Sequence, residues 1–495
     1  MSIRKLAGQT AIYGISSVAA RFLNFLLVPY LTRILSPEGY GVVTDLYALI
    51  PFALVVLTMG MESGYFRFAG KAENEEQKRM VFANTWGAVS LASLVFLVLV
   101  LLFNGRIADA MRYADTPSFI WITGSIIAID VFLAIPFARL REQGRATKFV
   151  VIRLISVIVN VALCLFFYSV LPGLAPLSSL FGAMYDPSFG AGYVLVANLI
   201  ASFITIFFLL PACGRVVPRV NKKILVPIFI YSMPLLISGI AGTANEYIDR
   251  QMIKFLMPED VSLAALGQFG AVSRLGVILV LFLQMYRMGA EPYFLGSFKK
   301  DDFVKMNAEA MKYYIIAAIG IFLGVTLFTD LFEKILGPGL REGVGLLPII
   351  LVSNIFTGVV FNLSFWYKQM SKTKFAILVT GTGLVFTVVF NLLLVPQLGV
   401  LGAVLARLVC EFVMVAVSYV LNRKYCPTPY ELRRIGEYVL LGAALYGVSY
   451  FTDMLPVLMK YLCNLALLGV YAVWFFRREN INPMQMARSI VNKNR

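Results

Sequence analysis

The amino-acid sequence predicts an all-α protein that crosses a membrane many times. Of its 495 residues, 59% are hydrophobic and only 14% are charged, whereas a soluble domain carries about 25% charged residues. Apolar stretches of the length that crosses a bilayer as a helix recur along the whole chain. The polar connections between them are short. We therefore expect a polytopic helical membrane protein with no sizeable extramembrane domain.

About fourteen apolar segments have the length of a membrane span. The first follows Arg4 and Lys5, is longer than the apolar region of a signal peptide, and is not followed by a small-residue cleavage site. We therefore predict an uncleaved first helix. The segments centre near residues 20, 52, 92, 128, 160, 200, 234, 276, 320, 354, 384, 411, 443 and 467.

The distribution of basic residues predicts the orientation of the chain. If the N-terminus is cytoplasmic, most of the 43 Lys and Arg residues lie in cytoplasmic connections, as the positive-inside rule requires. Both termini are then cytoplasmic. The net charge of +16 is accordingly a signal of topology, with some attraction to the headgroups of membrane lipids. It does not indicate a nucleic-acid partner.

The sequence offers little material for catalysis or metal binding. It contains no histidine, and its five cysteines form no CxxC pair. The commonest general base and the commonest metal ligands are therefore missing. We predict a protein that is not an enzyme and that needs no cofactor or metal.

Two halves of the sequence repeat the same order of signals. The motif at Leu35–Gly41 has a counterpart beginning at Leu256, and both follow an arginine. Further on, Asn160 and a later Pro–Gly pattern have a counterpart beginning at Asn391. An offset of six spans makes the repeats parallel, as in transporters that bind substrate between two lobes. We predict a six-helix lobe over residues 1–220, a second over 221–425 around a central cavity, and two extra helices with a cytoplasmic tail over 426–495.

Several motifs resemble those of bacterial polysaccharide flippases. These are the Wzx-type exporters of the multidrug/oligosaccharidyl-lipid/polysaccharide superfamily. The resemblance extends along the chain and is strongest in its first 70 residues. It rests on KLAGQTAIYG from Lys5, LVPYLTR ending at Arg33, LSPEGYG from Leu35, GMESGYFRF from Gly60 and NLLLVPQLGVLGA from Asn391.

This resemblance implies an activity and its partners. It implies movement of undecaprenyl-pyrophosphate-linked oligosaccharide (such as an O-antigen unit for lipopolysaccharide) from the inner to the outer leaflet. The glycosyltransferases and the polysaccharide polymerase of the same pathway would be partners. A lipid II flippase and a cation-coupled multidrug antiporter of the same superfamily are the alternatives. A membrane glycosyltransferase is disfavoured, because the outer loop from Pro172 to Pro187 carries one carboxylate, Asp186.

Two arginines in apolar segments are the first candidates for substrate binding. Arg21 lies near the middle of the first span, with Asn24 on the same helix face. Arg274 lies in the middle of the eighth span, on the opposite predicted lobe. A fixed charge at that depth costs at least about 3 kcal/mol, so it faces a polar cavity or a partner. A guanidinium suits pyrophosphate oxygens, and an internal ion pair with a group such as Asp130 is the alternative.

Arg407 and Tyr30 complete the substrate-binding candidates. Arg407 precedes Glu411 by four residues, so it either pairs along its own helix or contacts substrate. Tyr30 can stack on a sugar ring.

A second set of charged residues is predicted to form gates between the lobes or to couple transport to an ion. Glu246, Asp249 and Arg250 share one helix face at the outer end of span seven. Asp130 lies in the inner half of span four and is the better coupling candidate. The sequence leaves the coupling ion open. The full set is Arg33, Asp45, Glu62, Arg67, Asp130, Glu246, Asp249, Arg250 and Glu411.

Overall fold

The computed structural model describes residues 22–23, 25–294, 300–370, 372 and 374–480. Every regular element within these ranges is a helix. The helices of the first part of the chain are α1 (Phe25–Ile34), α2 (Pro37–Thr58), α3 (Met61–Lys71), α4 (Glu75–Leu102), α5 (Asn104–Ala110), α6 (Ser118–Glu142), α7 (Ala146–Leu165), α8 (Leu171–Leu174), α9 (Ser179–Met184) and α10 (Gly192–Cys213).

The remaining helices continue in the same way. They are α11 (Lys222–Leu256), α12 (Glu259–Leu275), α13 (Val277–Phe294), α14 (Lys300–Thr326), α15 (Thr329–Glu333), α16 (Leu347–Leu363), α17 (Phe365–Gln369), α18 (Lys374–Leu398), α19 (Val400–Tyr425), α20 (Leu432–Thr452) and α21 (Val457–Arg478). The predicted all-α polytopic fold class is confirmed.

The number of membrane spans is lower than predicted within the described residues. Eleven helices are long and apolar enough to cross a membrane, or twelve if α12 and α13, bent by 50°, form one span. The predicted count of fourteen is therefore not confirmed. The first predicted span is represented only by α1. The thirteenth is α20, which is less apolar because it carries Arg433, Arg434 and Glu437 in its first turns.

By internal contacts the chain divides into two compact units. The first unit contains the described residues within Met1–Arg274, Leu336–Gly343 and Lys372–Met414, and the second contains those within Leu275–Ile335, Val344–Ser371 and Val415–Arg495. These units do not test the predicted lobe boundaries, which stay a prediction. The first unit has a core between α3, α4, α6 and α11, built around Trp86, whose indole N–H donates to the Phe132 carbonyl at 3.2 Å.

Glycines bring α2 and α12 of the first unit into backbone contact. A Cβ on Gly41 would collide with the carbonyl of Leu263, and a Cβ on Gly267 would collide with the carbonyl of Pro37. One turn further along α12, a Cβ on Gly270 would collide with the side chain of Thr44. Small residues allow membrane helices to approach this closely. The two helices therefore depend on these glycines for their close packing.

Replacing Gly41 with alanine tests this close approach. The added methyl group forces α2 and α12 apart, and overpacking of this kind costs about 1–3 kcal/mol. We expect a lower midpoint of thermal denaturation for the detergent-solubilised protein. Gly70→Ala is the matched control, since Gly70 is exposed in α3 and has no neighbour within 4 Å of its Cβ position. Equal midpoints for the two variants would contradict the close packing.

The second unit joins its C-terminal helices to α14. The Tyr471 hydroxyl of α21 donates to the Ile316 carbonyl at 2.7 Å, and the Asn464 amide donates to the Leu327 carbonyl at 2.6 Å. At one end of this interface, buried Lys312 pairs with Glu431 at 3.1 Å and Glu479 at 3.2 Å. The two helices predicted as an appended pair thus pack along α14.

Candidate functional site

A buried ion pair joins α2 to α11 in the first unit. Asp45 is fully buried and pairs with Lys254, which is also buried. The Asp45 carboxylate also accepts hydrogen bonds from the Tyr113 hydroxyl at 2.7 Å and from the Gln251 amide at 2.5 Å. Burial raises the pKa of Tyr113, with the Asp45 carboxylate adding to the effect, so the phenol stays protonated and donates. Asp45 therefore holds α2 against α11 through its contacts with Lys254 and Gln251.

Sequence reasoning missed Lys254, Tyr113 and Gln251. A lysine in the last turn of an apolar helix is as informative as an intramembrane arginine, and this signal would have found Lys254. Tyr113 gives no such signal, because it lies in a connection between α5 and α6. The neighbouring Arg112 has a φ of +58° and donates to the Lys254 carbonyl at 2.7 Å. It thereby caps the C-terminal end of α11.

A polar cavity of about 300 Å³ lies among α2, α3, α6, α7 and α10. Two carboxylates and two guanidinium groups line it: Asp130, Glu62, Arg141 and Arg153. Glu62 pairs with Arg141. Asp130 accepts a hydrogen bond from the Ser202 hydroxyl at 3.0 Å. We call this space the Asp130 cavity.

Arg153 contributes the second positive charge of the Asp130 cavity. It interacts electrostatically with Asp130, and its guanidinium lies 4.4 Å from the centre of the Phe137 ring. Cation–π contact stabilises a guanidinium at this distance. Two predicted gate or coupling residues, Glu62 and Asp130, are thus brought together with arginines of α6 and α7. The opposite charges in this space can exchange partners when an ion or a substrate enters.

A third cluster connects α11 to α19. The Asp249 carboxylate is buried and lies 2.7 Å from Arg250 and 3.8 Å from Arg407. Arg407 also interacts electrostatically with Glu411 and Glu246. Arg407, a predicted substrate-binding residue, therefore lies in one cluster with four residues predicted to form gates or to couple an ion: Glu246, Asp249, Arg250 and Glu411. Internal carboxylates surround Arg407. In this structure it therefore forms an internal ion pair, which is the alternative to contact with substrate.

Arg274 has different surroundings from the other arginines of the bundle. It is exposed at the end of α12, next to the Tyr40 hydroxyl, and it lies close to Tyr47. Within the described part of the chain, no carboxylate forms an ion pair with it. A guanidinium without an ion-pair partner in a membrane-spanning segment makes this position a candidate functional site. Together with the Tyr40 hydroxyl it can donate hydrogen bonds to the oxygens of an anion, whereas the Tyr47 hydroxyl donates to the Val194 carbonyl at 3.4 Å.

The remaining predicted residues are placed as follows. Arg21 and Asn24 lie outside the described residues. The Arg33 guanidinium donates to the Pro29 carbonyl at 2.5 Å. The Tyr30 hydroxyl lies 2.5 Å from the Ser169 hydroxyl. Arg67 stacks on the Tyr231 ring at 4.3 Å from its centre, so it contacts an aromatic ring of α11.

The many long apolar helices of the described residues define a multi-pass membrane protein. Its fold is similar to that of a lipid II flippase MurJ in an inward closed conformation, with a TM-score of 0.71, 14% identity, and coverage of 94% of this chain and 99% of that chain. It is also similar to an inward-facing multidrug resistance MATE family transporter of the MOP superfamily, with a TM-score of 0.64, 14% identity, and coverage of 88% and 96%.

A third similar structure is the MATE multidrug transporter DinF-BH, with a TM-score of 0.60, 16% identity, and coverage of 86% and 96%. The sequence itself matches the family described as "Polysaccharide biosynthesis protein" over residues 6–296. The chain belongs to that family. Comparison with curated proteins finds no match. The predicted polysaccharide family is thus confirmed by the sequence match, and the fold is similar to that of transporters of the MOP superfamily.

Proposed function

We propose that the protein moves undecaprenyl-pyrophosphate-linked oligosaccharide from the inner to the outer leaflet of the bacterial cytoplasmic membrane. The product serves the synthesis of a surface polysaccharide such as O-antigen, together with the glycosyltransferases and the polymerase of the pathway. Membership of the polysaccharide biosynthesis family supports the substrate class. The observation that carries the proposal is Arg274, an uncompensated cation beside Tyr40 within a membrane-spanning segment. Such a group fits an anionic lipid headgroup.

In the proposed mechanism the pyrophosphate binds at Arg274. The guanidinium offers two parallel N–H donors, and the hydroxyl of Tyr40 adds a donor at the same place. The prenyl tail remains in the lipid, so no covalent chemistry is required. Outward movement of negative charge is favoured by an inside-negative potential, by about 2.3 kcal/mol per charge per 100 mV. Two parallel six-helix lobes around a central cavity, over residues 1–220 and 221–425, would alternate access to it.

A cation taken up in the Asp130 cavity would provide the trigger for substrate release. Asp130 lies between a guanidinium and a serine hydroxyl. Neutralising its charge removes the electrostatic partner of Arg153, and this loss would loosen the contact between α6 and α7. The cavity is therefore the proposed site of coupling to protons or sodium ions.

We expect Asp130→Asn to abolish the response of transport to an ion gradient, because the amide keeps the hydrogen bond from Ser202 but takes up no proton and lacks the negative charge that attracts a sodium ion. Transport by proteoliposomes is measured with an imposed proton gradient and, separately, with an imposed sodium gradient. Asp109→Asn is the control, because Asp109 is an exposed carboxylate of the short helix α5. A variant at Asp130 that still responds to both gradients would contradict the assignment.

Deletion of the gene tests the substrate class in the cell. We expect loss of one surface polysaccharide, accumulation of its lipid-linked unit in the inner leaflet, and continued growth. Loss of viability with accumulation of lipid II would instead indicate peptidoglycan synthesis. Sensitivity to cationic drugs with normal surface glycan would indicate a multidrug antiporter. Either of these results would overturn the proposal.

A further inference from the structure

An interruption of regular helix lies at the end of α7. Residues Phe166–Val170 form a π-helical segment before α8 begins. π-helical turns are rare and frequently occur at functional sites. The side chains of Phe167 and Tyr168 from this segment line a pocket of about 350 Å³. The pocket is separate from the Asp130 cavity, and we call it the aromatic pocket.

The walls of the aromatic pocket come from three stretches of the first unit. One is the π-helical segment with Pro172, the second is Ile34–Gly39 at the start of α2, and the third is the loop from Tyr185 to Tyr193. The chain folds these stretches together although they are far apart in sequence. With the predicted orientation, all three lie at the outer face of the membrane.

Aromatic contacts hold the wall of the pocket in place. The Phe167 ring stacks on the Tyr193 ring at a centroid distance of 5.3 Å, and Phe189 meets Tyr193 edge-on at 5.1 Å. The Tyr168 hydroxyl donates to the Gly190 carbonyl at 2.7 Å. The Tyr193 hydroxyl donates to the Met184 carbonyl at 3.0 Å. The hydroxyls of these two tyrosines are thus occupied by the protein, and their rings form a fixed surface.

The chemistry of the lining selects an uncharged ligand. None of the residues that line the pocket carries a charge. Tyr185 offers a half-buried ring, and its hydroxyl has no hydrogen-bond partner within the described part of the chain. A flat aromatic surface beside one open hydroxyl suits a sugar ring, whose C–H faces pack on aromatic rings while its hydroxyls form hydrogen bonds. A lipid chain would leave the Tyr185 hydroxyl unused.

The aromatic pocket is connected to the site of Arg274. Tyr168 of the pocket wall interacts with Tyr47, and Tyr47 lies close to Arg274. On the first helix, Tyr30 is linked to the π-helical segment through Ser169. A glycan attached to a pyrophosphate at Arg274 would extend from there toward the pocket.

We propose that the aromatic pocket binds one neutral sugar residue of the exported glycan at the outer face. This inference rests on the proposed function, because it takes the glycan as the transported group. It adds a second point of recognition beyond the pyrophosphate. Glycans whose corresponding sugar is charged would then be bound less tightly than those with a neutral sugar.

The test measures binding of the neutral oligosaccharide released from the lipid-linked glycan of the same strain. The full-length protein in lipid nanodiscs is titrated with this glycan. We expect Tyr185→Ala to weaken binding about threefold to tenfold, the range that a stacked aromatic contact contributes. Tyr185→Phe keeps the ring and should lose less. Phe207→Ala removes an exposed aromatic side chain of α10 and should leave binding unchanged.

The possible outcomes separate the two proposals. Binding to the wild type and to Arg274→Ala, with weaker binding to Tyr185→Ala, supports the pocket even if lipid-linked glycan is not transported. Transport of lipid-linked glycan by a protein that does not bind the free glycan overturns the pocket and leaves the proposed function intact. Displacement of the glycan by phospholipid alone shows that a lipid chain occupies the pocket, which also overturns the inference. A monodisperse elution profile confirms that each variant is folded.

Discussion

Replacing Arg274 with alanine is expected to reduce the amount of surface glycan about 10-fold to 100-fold. A hydrogen bond to a charged group is worth about 1.5–3 kcal/mol, and each 1.4 kcal/mol corresponds to a tenfold change in affinity. Arg274→Lys keeps the charge and loses the two-pronged geometry, so it should retain part of the activity. Surface glycan is compared by electrophoresis at equal amounts of the protein in the membrane.

The matched control is Arg106→Ala, because Arg106 is exposed in the short helix α5, which is not itself a membrane-spanning helix. It should have wild-type amounts of glycan. Normal glycan in both Arg274 variants would remove the guanidinium from the binding site. Equal losses in Arg274→Ala and Arg106→Ala would show that the effect concerns surface charge in general.

The second large effect is expected at the buried Asp45–Lys254 pair. Removing one partner, as in Lys254→Met, leaves an uncompensated buried carboxylate and should lower the free energy of unfolding by about 3–5 kcal/mol. The double variant Asp45→Leu with Lys254→Met removes both charges. It should therefore be more stable than the single variant. Thermal denaturation of the detergent-solubilised protein, followed by loss of the monodisperse fraction, measures both.

An exposed pair in the same unit provides the control for this experiment. Lys78 and Glu75 lie 2.8 Å apart near the start of α4 and are partly or largely exposed. Surface ion pairs contribute little to stability, so Lys78→Met should leave the denaturation midpoint nearly unchanged. The account of the buried pair fails if Lys254→Met is as stable as Lys78→Met, or if the double variant is no more stable than the single one.

The fold class could be predicted from the sequence because the signal for a membrane span is local. Length and hydropathy of each segment identify a spanning helix without knowledge of its neighbours. The family motifs were local as well. The count was less secure, since α20 begins with Arg433 and Arg434 and falls short of the apolar character of the other spans. The parallel repeat stays a prediction.

The partners of the charged residues could not be predicted in the same way. Glu411 is four residues from Arg407 and is the partner that helix spacing offered, yet Asp249 on α11 also lies within ion-pair distance of Arg407, at 3.8 Å. Likewise Asp45 was identified as a candidate, but Lys254, 209 residues away, was not. Which carboxylate pairs with which cation depends on how the helices pack. Residue spacing along a single helix does not predict it.

The aromatic pocket was beyond sequence reasoning for a related reason. Aromatic residues are frequent in membrane helices and in their interfacial belts, so Phe167 and Tyr193 carried no distinctive signal. Their significance comes from the π-helical segment and from the loop that folds back on it. Tyr30 was selected as a residue able to stack on sugars, and in the structure its hydroxyl contacts this segment through Ser169.

The central claim is that this protein moves an anionic lipid-linked oligosaccharide across the bilayer through a site that contains Arg274. The most direct measurement uses proteoliposomes loaded with undecaprenyl-pyrophosphate-linked oligosaccharide of the matching pathway. Appearance of the glycan in the opposite leaflet is followed with an impermeant lectin. We predict rapid translocation by the wild type, about 10-fold to 100-fold slower translocation by Arg274→Ala, and none by empty liposomes. Absence of translocation by the wild type, or equal rates for the wild type and Arg274→Ala, would contradict the account.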